Sequence, residues 1–371
     1  MTEYNKNNPF PAKLVERELL NQEGSTKQTY HLKLDLSGSQ IAYAPGDAIG
    51  IFPENPKQIV DSILNALKKT GEEEVVDPRT QASLSLRHFL KAKANLIRIT
   101  LPMLKQFPEL SALTVADAKE ARRDFIENHD LEDLFTRYAN PKAPLQELLS
   151  YISPMLPRFY SIASSQLSTP DSVDLLVVTF QCKQGGKMRW GLGSRFLCEV
   201  ATIGETPIPI YHHPNTTFKV PEDPNTPIMM IGPGTGVAPY RAFLQERLHQ
   251  EAKGKNWLFF GERQRAYDFY YEDFFIDLEK KGLLHLDCAF SRDQEEKVYV
   301  QDVMKKKSDQ IWEWIHEGAI IYICGDARHM SKDVTATLHE VITEKGSLSD
   351  QEAKDFIRKL RTEKRLLLDV Y

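Results

Sequence analysis

Cysteine is scarce in this chain: Cys182, Cys198, Cys288 and Cys324 are four in 371 residues. They are widely spaced and form no CxxC pair, which argues against a zinc or iron–sulfur site built by this chain alone, so no metal is expected. So few cysteines in so long a chain also argue against a disulfide framework, and a reducing cytoplasm is the expected compartment. Long apolar runs are missing too, since none approaches the roughly 20 residues a membrane-spanning helix needs. The first residues, Met1-Thr2-Glu3-Tyr4-Asn5-Lys6-Asn7-Asn8, are polar and do not read as a signal peptide. Excess charge of one sign is also absent. The net charge of −5 gives no reason to expect nucleic acid or an anionic membrane as partner. There is no repeat, no low-complexity tract and no Ser-His-Asp arrangement, and His212-His213 lacks spaced partners for a metal.

What remains is ordinary globular composition, 41% hydrophobic and 27% charged, in a chain long enough for two domains with their own cores. The polar, proline-rich stretch Pro221-Glu222-Asp223-Pro224-Asn225-Thr226-Pro227 reads as the linker. Beyond it, apolar runs alternate with amphipathic stretches. Ile228–Ile231, Trp257–Phe260, Leu284–Phe290 and Ala319–Cys324 read as strands. Helices are expected from Val237 to about Gln250 and over Asp273–Lys281, Val300–Glu317 and Ser331–Glu344, with a last strand at Arg365–Val370. Such alternation predicts a parallel sheet covered on both faces, with ligands past the carboxyl ends of its strands. Upstream, residues 26–53 alternate as antiparallel strands, residues 56–150 read mainly as helices, and strand texture returns at Arg158–Ala163, Val173–Gln181 and Thr206–Tyr211. An all-β domain interrupted by a helical insert is the economical reading. The expected boundaries are residues 7–220, with the insert at about 56–150, and residues 221–371.

Several motifs could carry chemistry. Gly232-Pro233-Gly234-Thr235-Gly236 follows a strand and opens a helix, where glycines let backbone approach a pyrophosphate. A tight strand-to-helix turn is the bland alternative, and the location at a strand's carboxyl end favours binding. Ser291 and Arg292 follow the strand Leu284–Phe290, with Lys297-Val298-Tyr299-Val300-Gln301 shortly after. A hydroxyl, a guanidinium and an ammonium there suit a phosphate monoester, and Tyr299 could stack on a base; a solvated loop fits as well. Glu262 stands where an acid would bond the ribose of NADH, but Arg263 and Arg265 adjoin it. On the strand Arg158-Phe159-Tyr160-Ser161, Arg158 and Tyr160 share one face while Phe159 and Ser161 share the other. By itself this is a strand with one polar face. Gly191-Leu192-Gly193-Ser194 suits an anionic group or, equally, an ordinary N-cap at Ser194. Cys324 ends a buried strand, where its sulfur would face the ligand crevice, and nothing marks it as a reactive thiolate. The strand before Tyr371 argues that the last residue is tied down.

Together these motifs resemble the NADPH/FAD half of the diflavin reductases, the family of the NADPH–cytochrome reductases and the sulfite reductase flavoprotein. The resemblance runs from about Asn8 to Tyr371 through Arg158–Ser165, Gly191–Ser194, Gly232–Pro239, Ala289–Gln294, Lys297–Gln301, Tyr322–Arg328 and Asp369-Val370-Tyr371. The stretch Gly254–Gly261 is most similar to bacterial sulfite reductase flavoproteins. The resemblance implies a β plus α/β fold: a six-stranded antiparallel FAD-binding barrel with a helical insert, then a Rossmann-like parallel-sheet NADP-binding domain, as in ferredoxin–NADP reductases. It implies that Arg158 contacts the FAD pyrophosphate, Tyr160 packs on the isoalloxazine and Ser161 bonds near N5. Phe159, Leu176, Val177 and Val178 belong to the same implied cofactor-binding set. Gly191, Leu192, Gly193 and Ser194 would cradle the FAD phosphates. Gly234, Thr235 and Asp333 would contact NADP, and Ser291, Arg292, Lys297 and Tyr299 would hold the adenosine 2′-phosphate, with Val298, Val300 and Gln301 nearby. Ser161, Cys324 and Asp369 would form the hydride-transfer cluster, and Tyr371 would stack over the flavin and move aside for nicotinamide.

The implied activity is NADPH-dependent flavin oxidoreduction, with electrons leaving FAD for a separate protein. A flavodoxin-like or FMN protein is the first candidate acceptor and a sulfite reductase haem or iron–sulfur subunit the second. The alternatives are a non-catalytic assembly or sensor subunit and a ferredoxin/flavodoxin–NADP reductase. Two departures stand out. The family's preceding FMN domain is expected to be absent, and Cys182 stands where relatives place a Tyr against the FAD adenine.

Overall fold

Along the computed structural model, which describes residues 4–138 and 141–371, ten strands precede the linker. They are β1 (Phe10–Leu19), β2 (Thr29–Asp35), β3 (Ala48–Ile51), β4 (Glu74–Val76), β5 (Ser83–Ser85), β6 (Arg158–Ser161), β7 (Ser172–Val178), β8 (Gln181–Gln184), β9 (Lys187–Trp190) and β10 (Pro207–His213). After the linker come β11 (Ile228–Pro233), β12 (Asn256–Glu262), β13 (His285–Phe290), β14 (Ile320–Gly325) and β15 (Leu366–Val370). The chain divides into two compact units. One comprises Met1–Gly50, Phe159–Val178 and Ile203–Tyr371, the other Ile51–Arg158 and Thr179–Thr202.

In the first unit, six strands pair in the order β6-β3-β10-β1-β2-β7. The β10–β1, β1–β2 and β2–β7 pairs are antiparallel. Alternation explains β2: Leu32 and Leu34 are fully buried, while Lys33 points out and binds Glu16 on β1 at 2.8 Å. A bulge at Val15 shifts the β1 register. The edge strands meet just past β6, where Ile162 bridges Leu175 and the Ala163 N–H donates to the Asp174 carbonyl at 2.8 Å. That contact closes the sheet into a barrel and leaves no open edge there.

The second sheet of this unit is parallel, in the order β13-β12-β11-β14-β15. Its apolar runs serve two cores. Met230, Tyr240, Phe243 and Phe260 pack on one side, and Met229, Ile231, Trp257, Phe259 and Ile323 on the other. Both faces being covered is why the runs are continuous rather than alternating. The strand order reverses at β11, and a crevice at the carboxyl ends of such a switch point is where this architecture binds ligands.

Two expected elements differ. The helix expected over Val300–Glu317 is two helices, Val300–Lys306 and Ser308–His316. Lys307 leaves helical geometry between them, and its ammonium pairs with Asp287 at 3.4 Å. The strand expected over Val173–Gln181 ends at Val178, and Gln181 starts a separate hairpin.

The second unit is mainly helical and has its own core around Phe89, Leu90, Leu104, Phe107, Leu134 and Leu149. Its helices include Lys57–Ala66, Lys119–Asn128, Leu131–Arg137 and Leu145–Tyr151, with the small hairpins β4–β5 and β8–β9.

Candidate functional site

The first strand of the parallel sheet delivers the glycine turn. β11 ends at Pro233, a short 3-10 turn covers Gly234–Val237, and the helix Ala238–His249 follows. Gly236 allows close packing, since a Cβ there would overlap the carbonyl oxygen of Cys324. Gly234 has φ +60°, a conformation that L side chains rarely adopt. Together they hold the turn flat against the ends of β11 and β14.

Past these strand ends lies a cavity of about 540 Å³. Gly234, Ser291, Arg292, Lys297, Tyr299, Val300, Gln301 and Asp333 all line it. Val298 does not; it packs against the core below. The backbone of the loop is fixed, with the Ser291 N–H donating to the Glu262 carbonyl at 2.9 Å and the Arg292 N–H to the Arg263 carbonyl at 2.7 Å. The side chains of Arg292 and Lys297, in contrast, are exposed and pair with no side chain among the described residues. Tyr299 is 44% exposed at the start of the helix Val300–Lys306. Two uncommitted cations, an uncovered ring and an open glycine turn fit a phosphorylated nucleotide.

Glu262 is committed elsewhere. Its carboxylate pairs with Lys27 and accepts from the Tyr270 hydroxyl at 3.2 Å and the Arg263 N–H at 2.7 Å. A carboxylate so engaged has little left for a ribose hydroxyl, which weakens the NADH alternative. Sequence reasoning missed Lys27, which lines this cavity and a smaller one of about 250 Å³ next to it. A lone lysine in a polar loop carries no motif, so nothing in the sequence singled it out.

The smaller cavity is lined by Val178, Thr235, Gly325, Asp326 and Tyr371, among others. Leu176 and Val177 are buried in the barrel and line neither cavity. Tyr371 is tied down at its backbone: its N–H donates to the Gly325 carbonyl and its carbonyl accepts from the Ala327 N–H, both at 3.1 Å. Its hydroxyl shares a 2.9 Å hydrogen bond with Thr235, while the residue remains 62% exposed.

Ser161, Cys324 and Asp369 come together from β6, β14 and β15. The Ser161 hydroxyl donates to the Asp369 carboxylate at 3.0 Å, and the Cys324 thiol approaches the same oxygen at 3.8 Å. Cys324 and Asp369 are register partners in the parallel sheet. Burial raises the Asp369 pKa above the usual carboxylate range, against the opposing bonds from Ser161 and Cys324. Burial, reinforced by the Asp369 charge, pushes the Cys324 thiol well above its ordinary value. Cys324 is therefore a protonated thiol, fully buried rather than facing an open crevice. On the same barrel strand Phe159 is half exposed and meets Tyr211 edge-on at 6.1 Å. Tyr160 beside it is half-buried.

In the helical unit, Gly191 caps the short helix Leu192–Arg195 and its N–H donates to the Phe180 carbonyl at 2.8 Å. Ser194 is not the N-cap. Its hydroxyl donates to the Gly191 carbonyl at 3.1 Å and accepts from the Phe180 N–H at 3.4 Å. A Cβ at Gly191 would lie 2.9 Å from the Ser194 hydroxyl and 3.2 Å from the Phe180 Cβ, so the turn is closely packed there. Arg158 donates to the Leu156 carbonyl at 2.9 Å and forms no ion pair among the described residues. The hairpin β8–β9 that leads into the cradle is anchored by Arg189, which pairs with both Asp130 and Asp133, and by Lys187, which pairs with Asp133. Cys182 lies opposite Arg189 in that hairpin.

Among the described residues no group of three or more His, Cys, Asp or Glu side chains could hold a metal, and no helix is long and apolar enough to cross a membrane.

Comparison with known proteins agrees with this geometry. An FAD binding domain model matches residues 2–93 and 105–196, and an oxidoreductase NAD-binding domain model matches residues 230–336. The chain is 40% identical over 375 residues to the sulfite reductase (NADPH) flavoprotein alpha-component of Bacillus subtilis, covering 99% of this chain and 62% of that protein. It is 39% identical to the protein of that name from Shewanella sp. strain MR-4, covering 100% and 62%, and 39% identical to that of Vibrio parahaemolyticus, covering 100% and 60%. The chain thus spans about three fifths of the length of these relatives.

Proposed function

We propose that this chain, which matches an FAD binding domain and an oxidoreductase NAD-binding domain, is the FAD- and nicotinamide-nucleotide-binding part of a diflavin reductase, and that it takes electrons from NADPH and passes them through FAD to a separate protein. The observation that carries the reading is the trio Ser161, Cys324 and Asp369, hydrogen-bonded together close to the glycine turn and Tyr371. Bound FAD supplies the hydride-accepting and electron-releasing chemistry; the chain supplies position and electrostatics.

Each residue then has a task. Residues 7–220, with an insert at about 56–150, form the FAD-binding part, and residues 221–371 the NADP-binding part. Arg158 and the Gly191–Ser194 cradle bind the FAD phosphates. Tyr160 would pack on the flavin ring, with Phe159 and Val178 near it and Leu176 and Val177 contributing through the strand that carries them. Asp369 fixes the Ser161 hydroxyl in one orientation next to the reacting atoms, and the buried Cys324 thiol keeps its proton throughout. Arg292 and Lys297, with Ser291, Tyr299 and Gln301, hold the 2′-phosphate and adenine of NADPH, while Gly234, Thr235, Lys27 and Asp333 bind the rest of the coenzyme. Tyr371, exposed and bonded through its hydroxyl to Thr235, would stack over the flavin and move aside for the nicotinamide.

The acceptor is a flavodoxin-like FMN protein or the haem component of a sulfite reductase, and the reaction takes place in the cytoplasm. The relatives' name, an alpha-component of sulfite reductase, supports the second acceptor. Rapid mixing of NADPH-reduced protein with each acceptor in turn tests this. Fast electron arrival on one of them is expected, and electron arrival on neither contradicts the reading.

A further inference from the structure

A charged cluster lies where the barrel packs on the parallel sheet, apart from the cavities described above. Arg241 stands at the end of the first turn of the helix Ala238–His249, which opens directly after the glycine turn. It lines neither the nucleotide cavity nor the smaller one beside it. Its Nη1 donates to the Ala163 carbonyl at 2.6 Å and to the Asp174 carboxylate at 2.9 Å. Ala163 follows Ser161 just past the end of β6, and Asp174 lies on β7. The same helix face grips the chain again a turn later. There the Ser165 N–H donates to the Gln245 side-chain oxygen at 2.9 Å, and the Ser165 hydroxyl donates to the Glu246 carboxylate. Next to Arg241, the Tyr240 hydroxyl donates to the Ile231 carbonyl at 3.0 Å, which ties the helix to the strand that carries the turn.

Such a cluster is costly to build. Asp174 is 1% exposed, and one of its oxygens is buried without a donor. The His31 ring approaches the other oxygen at 3.8 Å, but burial lowers its pKa and keeps it uncharged at neutral pH. Arg241 therefore balances the carboxylate. Its guanidinium lies 4.8 Å from the centre of the Tyr271 ring, and the Tyr271 hydroxyl shares a 3.1 Å hydrogen bond with His31. Tyr271 keeps this place at φ +58°, a left-handed conformation unusual for a bulky side chain. A buried ion pair often adds no net stability over an apolar filling, and its best-attested use is to fix one arrangement. What this one fixes is the place of the glycine turn relative to the ends of β6 and β7. Given the reading that NADPH reduces bound FAD in this chain, on which this rests, we propose that Arg241 is a positioning residue for hydride transfer. It sets the separation between a flavin on the barrel and a nicotinamide at the strand ends of the sheet, through the segments that carry them.

Arg241→Lys keeps a positive charge beside Asp174 but replaces the planar fork by a point charge on a flexible stem. The FAD-loaded variant is expected to retain its flavin and to bind NADP+ within about threefold of the parent by calorimetry. Its limiting rate of flavin reduction at saturating NADPH should nevertheless fall about tenfold or more, since a misplacement of about 1 Å can cost about 100-fold. A second readout needs no turnover. With Tyr371 deleted in both proteins, so that the nicotinamide position is open, NADP+ should perturb the visible bands of oxidised FAD in the parent and much less in Arg241→Lys. Asp174→Asn, which removes the charge and keeps the shape, should slow the same step, and the double variant should be no slower than the worse single one. It also carries the test if Arg241→Lys does not fold. Unchanged limiting rates in the variants, or losses shared equally by FAD and NADP+ binding, would overturn the positioning role while the function stands. A parent protein that NADPH does not reduce would overturn both.

Discussion

Removing the Arg292 side chain should separate the two nicotinamide coenzymes. Arg292 is exposed, and its guanidinium pairs with no side chain among the described residues, so Arg292→Ala leaves no protein group orphaned. The backbone bond from its N–H to the Arg263 carbonyl, at 2.7 Å, survives the change. Exposed substitutions of this kind shift stability by about 0.5 kcal/mol or less, so any large effect belongs to the ligand. A charge-assisted hydrogen bond is worth about 1.5–3 kcal/mol, which converts to roughly 10- to 150-fold in affinity. NADPH should lose that factor, whereas NADH, lacking the 2′-phosphate, should change by about threefold or less. Removing Lys297 as well should cost NADPH further, and the salt dependence of NADPH binding should shrink with each cation removed. The assay is the anaerobic single-turnover rate of flavin reduction against the concentration of each coenzyme. Equal losses for NADPH and NADH, or no loss for either, would refute the assignment of this loop to the 2′-phosphate.

Two further outcomes are expected. Deleting Tyr371 removes the ring hydrogen-bonded to Thr235 and should raise activity with NADH relative to NADPH, as steady-state rates with the two coenzymes will show; an unchanged ratio argues against a ring that must move aside. His31 is buried on β2, and burial lowers its pKa despite the opposing pull of Asp174. The folded chain holds the ring neutral, while the unfolded chain takes up a proton below about 6.5. The resulting stability is therefore present above that pH and is lost as pH falls from there through the lowered folded value, by up to about 1.4 kcal/mol per pH unit. Denaturant titrations between neutral and acid pH should show that slope, and His31→Gln should flatten it.

The parallel sheet was legible because its strands are continuous apolar runs, several stopping at or just before a glycine, and burial on both faces demands such runs. The nucleotide cavity was legible for the same reason, since residues after strand ends must sit at its mouth. Other features left weaker traces. β1 carries the charged residues Lys13, Glu16, Arg17 and Glu18, so its apolar pattern is thin and no strand was expected there. The helix Asp350–Thr362 carries its start signal in the sequence, the capping box formed by Ser349 and Glu352. The meeting of Ser161 with Asp369, 208 positions apart, follows from strand order alone and has no local signature; only resemblance to a family named the pair. Lys27 and Arg241 show the limit most sharply. Each is one basic residue in an ordinary polar or helical context, and only the fold reveals what surrounds it.

If this chain moves a hydride from NADPH to bound flavin, the flavin must bleach in single turnover. The direct test is anaerobic addition of one equivalent of NADPH to the purified, FAD-loaded protein while the visible absorbance of oxidised flavin is followed. Bleaching should be prompt, and slowed strongly in Asp369→Ala, where the acceptor of the Ser161 hydroxyl is lost. A flavin that stays oxidised for minutes in the presence of NADPH would contradict it.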